Sequence, residues 1–321
     1  MPDKAENRTP SVLRSGICTL FEGDFHIGLA AFLNSLVRAG YSGTVWAGYR
    51  GALPPWLDQV KRSTGRESAF RVADQIDLVF LQVSTDIHLT NYKPQFMLDL
   101  LQGPARDCEF LWYFDPDICL RAPWQFFSNW QHYGVALCQE IVDNNFPENS
   151  PQRREWMEIG AAIGLESPQP LCHYYNGGMV GVAAVHASFL EIWRRLIEYA
   201  GESGCDLKTM MPGDREMPFH ASDQDALNIA AMYSQYPLST LGPQGMGFAH
   251  GSVKMFHTVG QKPWKGSFFL RALSGVPPSS AMKFFLAQVD SPIRPYSAMA
   301  LRSKRLSCSI AALIGRFYRR M

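Results

Sequence analysis

The chain has 321 residues, of which 46% are hydrophobic and 18% charged, and its formal net charge is +1. This composition indicates a globular protein with a sizeable core, and the near-neutral charge gives no basis for a nucleic-acid partner. No apolar run is long enough to predict a transmembrane helix. Because residues 1–11 are polar and lack the apolar core of a signal peptide, we expect a disordered lead-in there.

The first third of the chain alternates predicted strands with predicted helices. Such alternation indicates an α/β fold with a largely parallel sheet, in which ligands bind beyond the carboxyl ends of the strands. The helix signals are a glycine after residue 39 and a proline in the first turn of the second helix. The predicted strands are 12–21, 44–46, 76–83 and 110–114, and the predicted helices are 26–39 and 93–101.

Two carboxylates follow the most apolar of these strands. The aromatic run from Phe110 to Phe114 ends at Asp115-Pro-Asp117, where the proline fixes the backbone between the two acids. Carboxylates at the end of a buried strand are costly unless a positive charge lies beside them, and Mn²⁺ and Mg²⁺ prefer oxygen ligands. A surface turn is the alternative, since Asp and Pro are common in turns. The aromatic strand before the pair favours a metal site.

Three later motifs carry further candidate site residues, and each has a purely structural alternative. Glycines in the predicted strand 174–182 indicate either a bulge or a close approach to the backbone. Ser222 and Asp225 have the spacing of a capping box at the start of a helix. His257 could complete a metal site and nearby Lys262 could neutralise a diphosphate, although a lone histidine is more often structural.

The end of the chain and the cysteines bear on location. The seven cysteines form no CxxC pair and lie mostly in apolar segments, which favours reduced, buried thiols and a cytoplasmic protein.

After Asp290 there is no acidic residue, and the C-terminal extension, residues 271–321, ends in a basic tail with apolar residues at helical spacing. This tail is either a solvated disordered end or an amphipathic helix on an anionic membrane, and the spacing favours peripheral membrane contact through residues 291–321.

Four motifs in series resemble those of family 8 glycosyltransferases, the group of glycogenin and the bacterial lipopolysaccharide galactosyl- and glucosyltransferases. The resemblance covers residues 16–265 and implies a GT-A fold, with one Rossmann-like nucleotide-diphospho-sugar transferase domain over residues 12–270. It also implies Mn²⁺ (with Mg²⁺ as an alternative), a UDP-sugar donor and retention of anomeric configuration. The motifs are Phe114-Asp-Pro-Asp117, Tyr175-Asn-Gly-Gly-Met-Val180, Ser222-Asp-Gln-Asp-Ala-Leu-Asn228 and His257-Thr-Val-Gly-Gln-Lys-Pro-Trp264.

The resemblance assigns roles by position. It implies that Asp115, Asp117 and His257 bind the metal, with Asp115 also contacting the donor, and that Gly260 and Lys262 bind the diphosphate. A second set is implied to contact the rest of the donor. At the sugar these are Asn176, Asp223, Gln224 and the loosely aligned Asp143, with Gln224 near the anomeric carbon. At the uracil and ribose they are Thr19, Glu22 and Phe25. Lys93 is implied to be a basic contact to the donor.

The implied function is transfer of a hexose, glucose or galactose, from a UDP-sugar to a glycan or lipid-linked acceptor. Asp223 is the nearest candidate nucleophile and an amide such as Gln224 is a poor one, so a front-face route is favoured over double displacement. A nucleotidyltransferase is one alternative, but it usually needs a basic phosphate loop near its N-terminus, where residues 21–24 are acidic. A catalytically silent sugar-nucleotide-binding protein is the other alternative.

Overall fold

The computed structural model describes residues 13–62, 69–141, 146–211 and 218–317. The strands in these ranges are β1 (Ser15–Glu22), β2 (Gly43–Arg50), β3 (Lys61–Arg62), β4 (Ala69–Val72), β5 (Ile76–Gln82), β6 (Phe110–Phe114), β7 (Ile118–Leu120), β8 (Val135–Gln139), β9 (Tyr175–Ala183), β10 (Leu238–Leu241) and β11 (Met255–His257). The helices are α1 (His26–Ala39), α2 (Lys93–Gln102), α3 (Trp124–Trp130), α4 (Pro151–Ala162), α5 (Ser188–Glu202), α6 (Ser222–Met232), α7 (Phe268–Leu273), α8 (Ser280–Leu286) and α9 (Ala298–Ile314).

Nine strands form one sheet in the order β10-β8-β9-β6-β1-β2-β5-β4-β3. Its centre, β6-β1-β2-β5, is parallel, whereas β9 lies antiparallel between β6 and β8. The predicted α/β fold with a parallel centre is confirmed. Every residue of β6 is buried, as the apolar run predicts for a strand covered on both faces.

Side chains of β6 alternate between two hydrophobic cores, one on each face of the sheet. Leu111 and Tyr113 contribute to a core with α2, α5 and α6, while Trp112 and Phe114 contribute to a second core with Phe32 of α1. Because β1 and β6 are parallel, their carboxyl ends emerge at a common edge of the sheet. A surface cleft lies at this edge, as is usual in α/β sheets.

The predicted helix boundaries are accurate where a clear terminator is present. Helix α1 ends at the predicted residue because Gly40 adopts the left-handed conformation, with φ +79°. Helix α4 begins at Pro151, because the Ser150 side chain accepts a hydrogen bond from the Arg153 backbone and the proline suits the first turn. The expected lead-in at 1–11 lies outside the described residues. Of the cysteines, Cys172 is exposed rather than buried.

The C-terminal helices pack on α1 through a small core of their own. Trp264, Phe285 and Ala311 belong to this core together with Ala31 of α1. The fully buried Asn34 fastens the connection: its amide nitrogen donates to the carbonyls of Gln288 (2.6 Å) and Ile293 (2.8 Å), and its oxygen accepts from the Ile293 backbone (2.9 Å). Residues 298–314 of the basic tail form α9, so this part is helical, as one of the two interpretations predicted, and it contributes to a packed core.

Within the part of the chain that the structure describes, none of the helices is both long and apolar enough to span a bilayer.

Replacing Asn34 by alanine would leave three buried backbone groups without partners. We expect the free energy of unfolding to fall by about 2–4 kcal/mol, because each unsatisfied buried group retains its desolvation cost. Urea denaturation followed by tryptophan fluorescence measures this change. The matched control is Asn129→Ala, since Asn129 is exposed at the end of α3. A loss no larger than that of the control would contradict a fastening role for Asn34.

Candidate metal and nucleotide site

A separate two-stranded sheet brings the two halves of the site together. Strand β11 pairs antiparallel with β7, so that His257 lies opposite Ile118, the residue that follows Asp117. The Thr258 backbone and hydroxyl both donate to the carbonyl of Asp117, at 3.2 and 2.8 Å. The pairing fixes the histidine beside the carboxylates despite the long stretch of chain between them.

Asp115, Asp117 and His257 form a cluster suited to a metal ion. Their ligand atoms all lie within 4.8 Å of one another, and the Nε2 atom of His257 is 3.4 Å from Oδ1 of Asp117 and 3.7 Å from Oδ2 of Asp115. Two carboxylates with one imidazole form a mixed oxygen and nitrogen set, which fits Mn²⁺ or Mg²⁺ supplemented by oxygen ligands from a substrate. The structure thus brings together the three residues predicted as metal ligands.

The second glycine of the Asn-Gly-Gly motif leaves room for this histidine. A Cβ atom on Gly178 would lie 2.5 Å from Cε1 and 2.9 Å from Nδ1 of His257, closer than side chains tolerate. Gly178 also accepts a hydrogen bond from the Asp115 backbone at 2.7 Å. The glycines of β9 therefore mark a close approach to the backbone, and the register between β8 and β9 also shifts here, so both sequence interpretations apply.

Two lysines neutralise the carboxylates. Lys93 is almost fully buried, and its Nζ atom lies 2.9 Å from Oδ2 of Asp223, 3.3 Å from Oδ1 of Asp115 and 2.9 Å from the carbonyl of Gly177. Lys262 donates to Oδ2 of Asp117 and, at 3.0 Å, to the carbonyl of Thr258. Each predicted aspartate ligand thus has its own lysine partner.

Burial and these partners act in opposition on the pKa values. For Asp115, burial dominates over the attraction of Lys93 and raises the carboxyl pKa. For Asp117, burial alone would raise the pKa, but His257 and Lys262 together hold it well below its usual range. For Lys93, burial would lower the pKa, but Asp115 and Asp223 outweigh it and raise the value. Asp117 and Lys93 are therefore held in their charged forms.

The start of α6 supplies the next site residues. The Gln224 side-chain oxygen accepts from the Gly177 backbone at 2.9 Å, which ties α6 to β9. The predicted capping box is wrong, because the N-cap residue is Ala221 and Ser222 instead donates to the side chain of Asn91. Asp225 still reaches back and accepts from the Ala221 backbone at 2.8 Å. Because the Ser222 hydroxyl is bonded to Asn91, it does not cap the first backbone N–H groups of α6.

These residues surround one cleft of about 550 Å³. Thr19 is not part of its lining: it is fully buried in β1, and Leu20, Phe21 and Glu22 reach the cleft instead. Asp143 lies outside the described residues, so its predicted sugar contact stays a prediction. The predicted site residues in the lining are Glu22, Phe25, Lys93, Asp115, Asp117, Asn176, Asp223, Gln224, His257, Gly260 and Lys262.

The cleft also contains residues that the motifs did not indicate. Glu140 directly follows β8 and accepts a hydrogen bond from the Asn176 side chain at 2.6 Å, so it adds a carboxylate beside the predicted sugar contacts. Its position after a buried strand is the same signal that identified Asp115. Arg50, which is not part of the lining, donates to Glu22 at 2.7 Å and thereby fixes that carboxylate.

The described architecture is that of the GT-A glycosyltransferases. Among solved structures, the chain is similar to the apo form of the bifunctional glycosyltransferase WbbM, with a TM-score of 0.55 and 14% identity over 92% of this chain. This match covers 52% of the WbbM chain, so the present chain spans about half its length. No family model and no curated protein matches the sequence.

The galactosyltransferase LgtC, solved in complex with donor and acceptor sugar analogues, is also similar, with a TM-score of 0.51 and 14% identity over 90% of this chain and 99% of that chain. An active-site mutant of LgtC gives a TM-score of 0.52 and 13% identity over the same shares. At these identities the likeness establishes the fold, and membership of family 8 stays a prediction.

Burial raises the pKa of Asp225 to about 7, against the opposing effect of its hydrogen bonds from Tyr174 and Ala221. The folded protein therefore favours the protonated acid, and the resulting stability is full below about pH 4 and lost as pH rises to about 7. Relative to Asp225→Asn, the wild type should lose about 2–4 kcal/mol of unfolding free energy between about pH 4 and pH 8.

Urea titrations of both proteins across this pH range measure the difference. Asp58→Asn is the control, because it makes the same substitution at an exposed position. Parallel pH profiles for the wild type and Asp225→Asn would refute the raised pKa.

Proposed function

We propose that the protein is a retaining hexosyltransferase that uses a UDP-sugar and Mn²⁺, with Mg²⁺ as an alternative. The observation that carries the proposal is the convergence, in one cleft, of the Asp115, Asp117 and His257 cluster with Lys262 and the amide of Gln224. A hard cation site beside a lysine suits a nucleotide diphosphate, and the GT-A fold supports glycosyl transfer as the chemistry.

In this proposal the nucleotide lies toward Glu22 and Phe25, and the sugar lies toward Asn176 and Gln224. When bound, the metal ion supplies Lewis-acid stabilisation of charge on the leaving diphosphate. Lys262 adds a second positive charge at the same group, and Gly260, with φ +71°, shapes the adjacent backbone. The rings of Phe25 and Trp264 pack edge to face, with 5.3 Å between their centroids. This packing fixes the ring of Phe25, which we assign to the base.

The contacts in the cleft favour a front-face route, in which the acceptor attacks on the side from which UDP leaves. Asp223 is paired with Lys93, which reduces its nucleophilicity, and the Gln224 oxygen already accepts from Gly177. Glu140 is engaged by Asn176. Since each side chain near the proposed sugar position already has a partner that orients it, we assign these groups to binding the donor sugar, and a leaving phosphate oxygen to accepting the proton.

Replacing Asp117 by asparagine should lower Mn²⁺-dependent release of UDP from a UDP-hexose by at least about a hundredfold, because the variant removes charge from the metal ligand. A panel of UDP-sugars, scored for released UDP with and without Mn²⁺, measures this effect. Asp107→Asn is the matched control, since Asp107 is exposed in the loop before β6.

The same assay separates the alternatives. Near-wild-type turnover by Asp117→Asn would reject the metal assignment. Release of pyrophosphate rather than UDP would identify a nucleotidyltransferase. Mn²⁺-dependent UDP binding without turnover in any acceptor screen would identify a silent sugar-nucleotide-binding protein.

We also propose that the surface formed by α7 and α9 contacts an anionic membrane and that the acceptor is a lipid-linked or membrane-surface glycan. One face of α9 is buried through Leu301, Cys308 and Ala311, which leaves the opposite face outward. That face combines apolar and basic side chains, the pattern of interfacial helices. Exposed apolar residues of this surface are Leu270, Leu273, Val276, Leu306, Ile310, Leu313 and Phe317, and exposed basic ones are Arg302 and Arg316.

The double variant Leu306→Ser/Leu313→Ser should reduce binding to vesicles containing phosphatidylglycerol by about tenfold, because it removes apolar area that would enter the bilayer. Co-sedimentation measures the partition coefficient. Point variants are preferable to deleting 291–321, since deletion would uncover the core beneath α9. The control is Tyr133→Ser/Val185→Ser, two exposed apolar positions outside this surface. Equal partition of both double variants would reject the membrane proposal.

A further inference from the structure

Lys262 is hydrogen-bonded to the carboxylate of Asp117, which the metal site requires as a ligand. Its ammonium group donates to Oδ2 of Asp117, while Oδ1 of that residue lies 3.4 Å from Nε2 of His257. The ammonium group also donates a hydrogen bond to the carbonyl of Thr258 at 3.0 Å, and this bond holds it beside the metal ligands. The lysine predicted to bind a diphosphate is therefore bonded to a metal ligand.

A divalent ion on Asp117 and the ammonium group of Lys262 in this position would repel each other. Like charges this close repel strongly inside a protein, and the double charge of the metal ion increases the repulsion. Binding of the metal thus favours departure of the lysine from Asp117. Departure without a new partner would in turn leave a desolvated ammonium group near the metal.

The two lysines of the site differ in their freedom to move. Lys93 is 2% exposed and has three oxygen partners from three different segments of the chain. Lys262 is 19% exposed and follows Val259, Gly260 and Gln261, which lie at the protein surface. Gly260 has φ +71°, a conformation that other residues rarely adopt. Lys262 can therefore be displaced without disturbing the core, whereas Lys93 cannot.

We propose that Lys262 is a displaceable counter-ion: it neutralises Asp117 in the ligand-free cleft and transfers to the donor diphosphate when metal and nucleotide bind together. This inference rests on the proposed function of the cleft. When the metal binds the Asp117 carboxylate, the diphosphate oxygens accept hydrogen bonds from Lys262 in its place. The metal and the nucleotide therefore each strengthen the binding of the other. The metal alone, lacking that exchange, binds weakly.

The variant Lys262→Met tests the inference by direct binding, without reference to turnover. Calorimetric Mn²⁺ titrations are carried out with and without saturating UDP, and both Kd values are compared with those of the wild type. Without UDP, the variant should bind Mn²⁺ about tenfold tighter than the wild type, because no lysine must leave. UDP should strengthen Mn²⁺ binding by a smaller factor in the variant than in the wild type. Lys265→Met, which removes an exposed lysine paired with Asp24, should behave as wild type.

Thermal unfolding gives a second readout that also reports folding. In EDTA, Lys262→Met leaves the buried Asp117 carboxylate without its lysine, so its Tm should fall below that of the wild type and rise further on adding Mn²⁺. Lys262→Gln, which keeps an N–H donor for Asp117 but no charge, serves as the second variant if the methionine does not fold. It should show the same tighter binding of Mn²⁺ alone.

Two results would overturn the inference in distinguishable ways. If the wild type binds Mn²⁺ and UDP together but neither Lys262 variant binds Mn²⁺ alone more tightly, the counter-ion role is wrong and the proposed function stands. If the wild type binds no Mn²⁺ even in the presence of UDP, the metal-dependent function fails together with the inference.

Discussion

The buried ammonium group of Lys93 is the charge on which the cleft depends. Asp115 at the end of β6 and Asp223 at the start of α6 would repel each other, and both are largely removed from water. Lys93 lies between them and also binds the carbonyl of Gly177 in β9. One side chain from α2 therefore connects α2 with β6, β9 and α6. Leaving either carboxylate buried without this partner would cost several kcal/mol.

The site contains two different solutions to the same electrostatic problem. Lys93 is a permanent counter-ion, enclosed by the core and fixed by three oxygen atoms. Lys262 lies on a surface segment and pairs with the carboxylate that also faces His257. Asp115 pairs with Lys93 through Oδ1 and keeps Oδ2 toward His257, whereas the pair between Lys262 and Asp117 lies at the oxygen atoms that a cation would need. Combining the two allows the protein to fold before its ligands arrive.

Sequence patterns were sufficient for the parallel centre of the sheet, and the motifs supplied most of the polar residues of the cleft. They indicated neither the edge strands β3, β4 and β10 nor the connection between the two halves of the cleft. The aromatic run of β6 and the glycine after α1 identify their elements because burial and backbone conformation leave few alternatives. Strands β7 and β11 have three residues each, too short for any periodicity, and only their pairing explains why His257 lies beside Asp117. Glu140 had a recognisable position after a strand, whereas the Ser222 contact with Asn91 depends on tertiary packing that spacing cannot encode.

The short ladder between β7 and β11 joins positions more than a hundred residues apart in the chain. Such distant partners meet late, since closing a long loop costs entropy before any contact compensates for it. A growing polypeptide would expose Asp115 and Asp117 well before the ribosome has released His257. Under the proposed function, the site for a divalent ion would therefore be complete only after this ladder has formed.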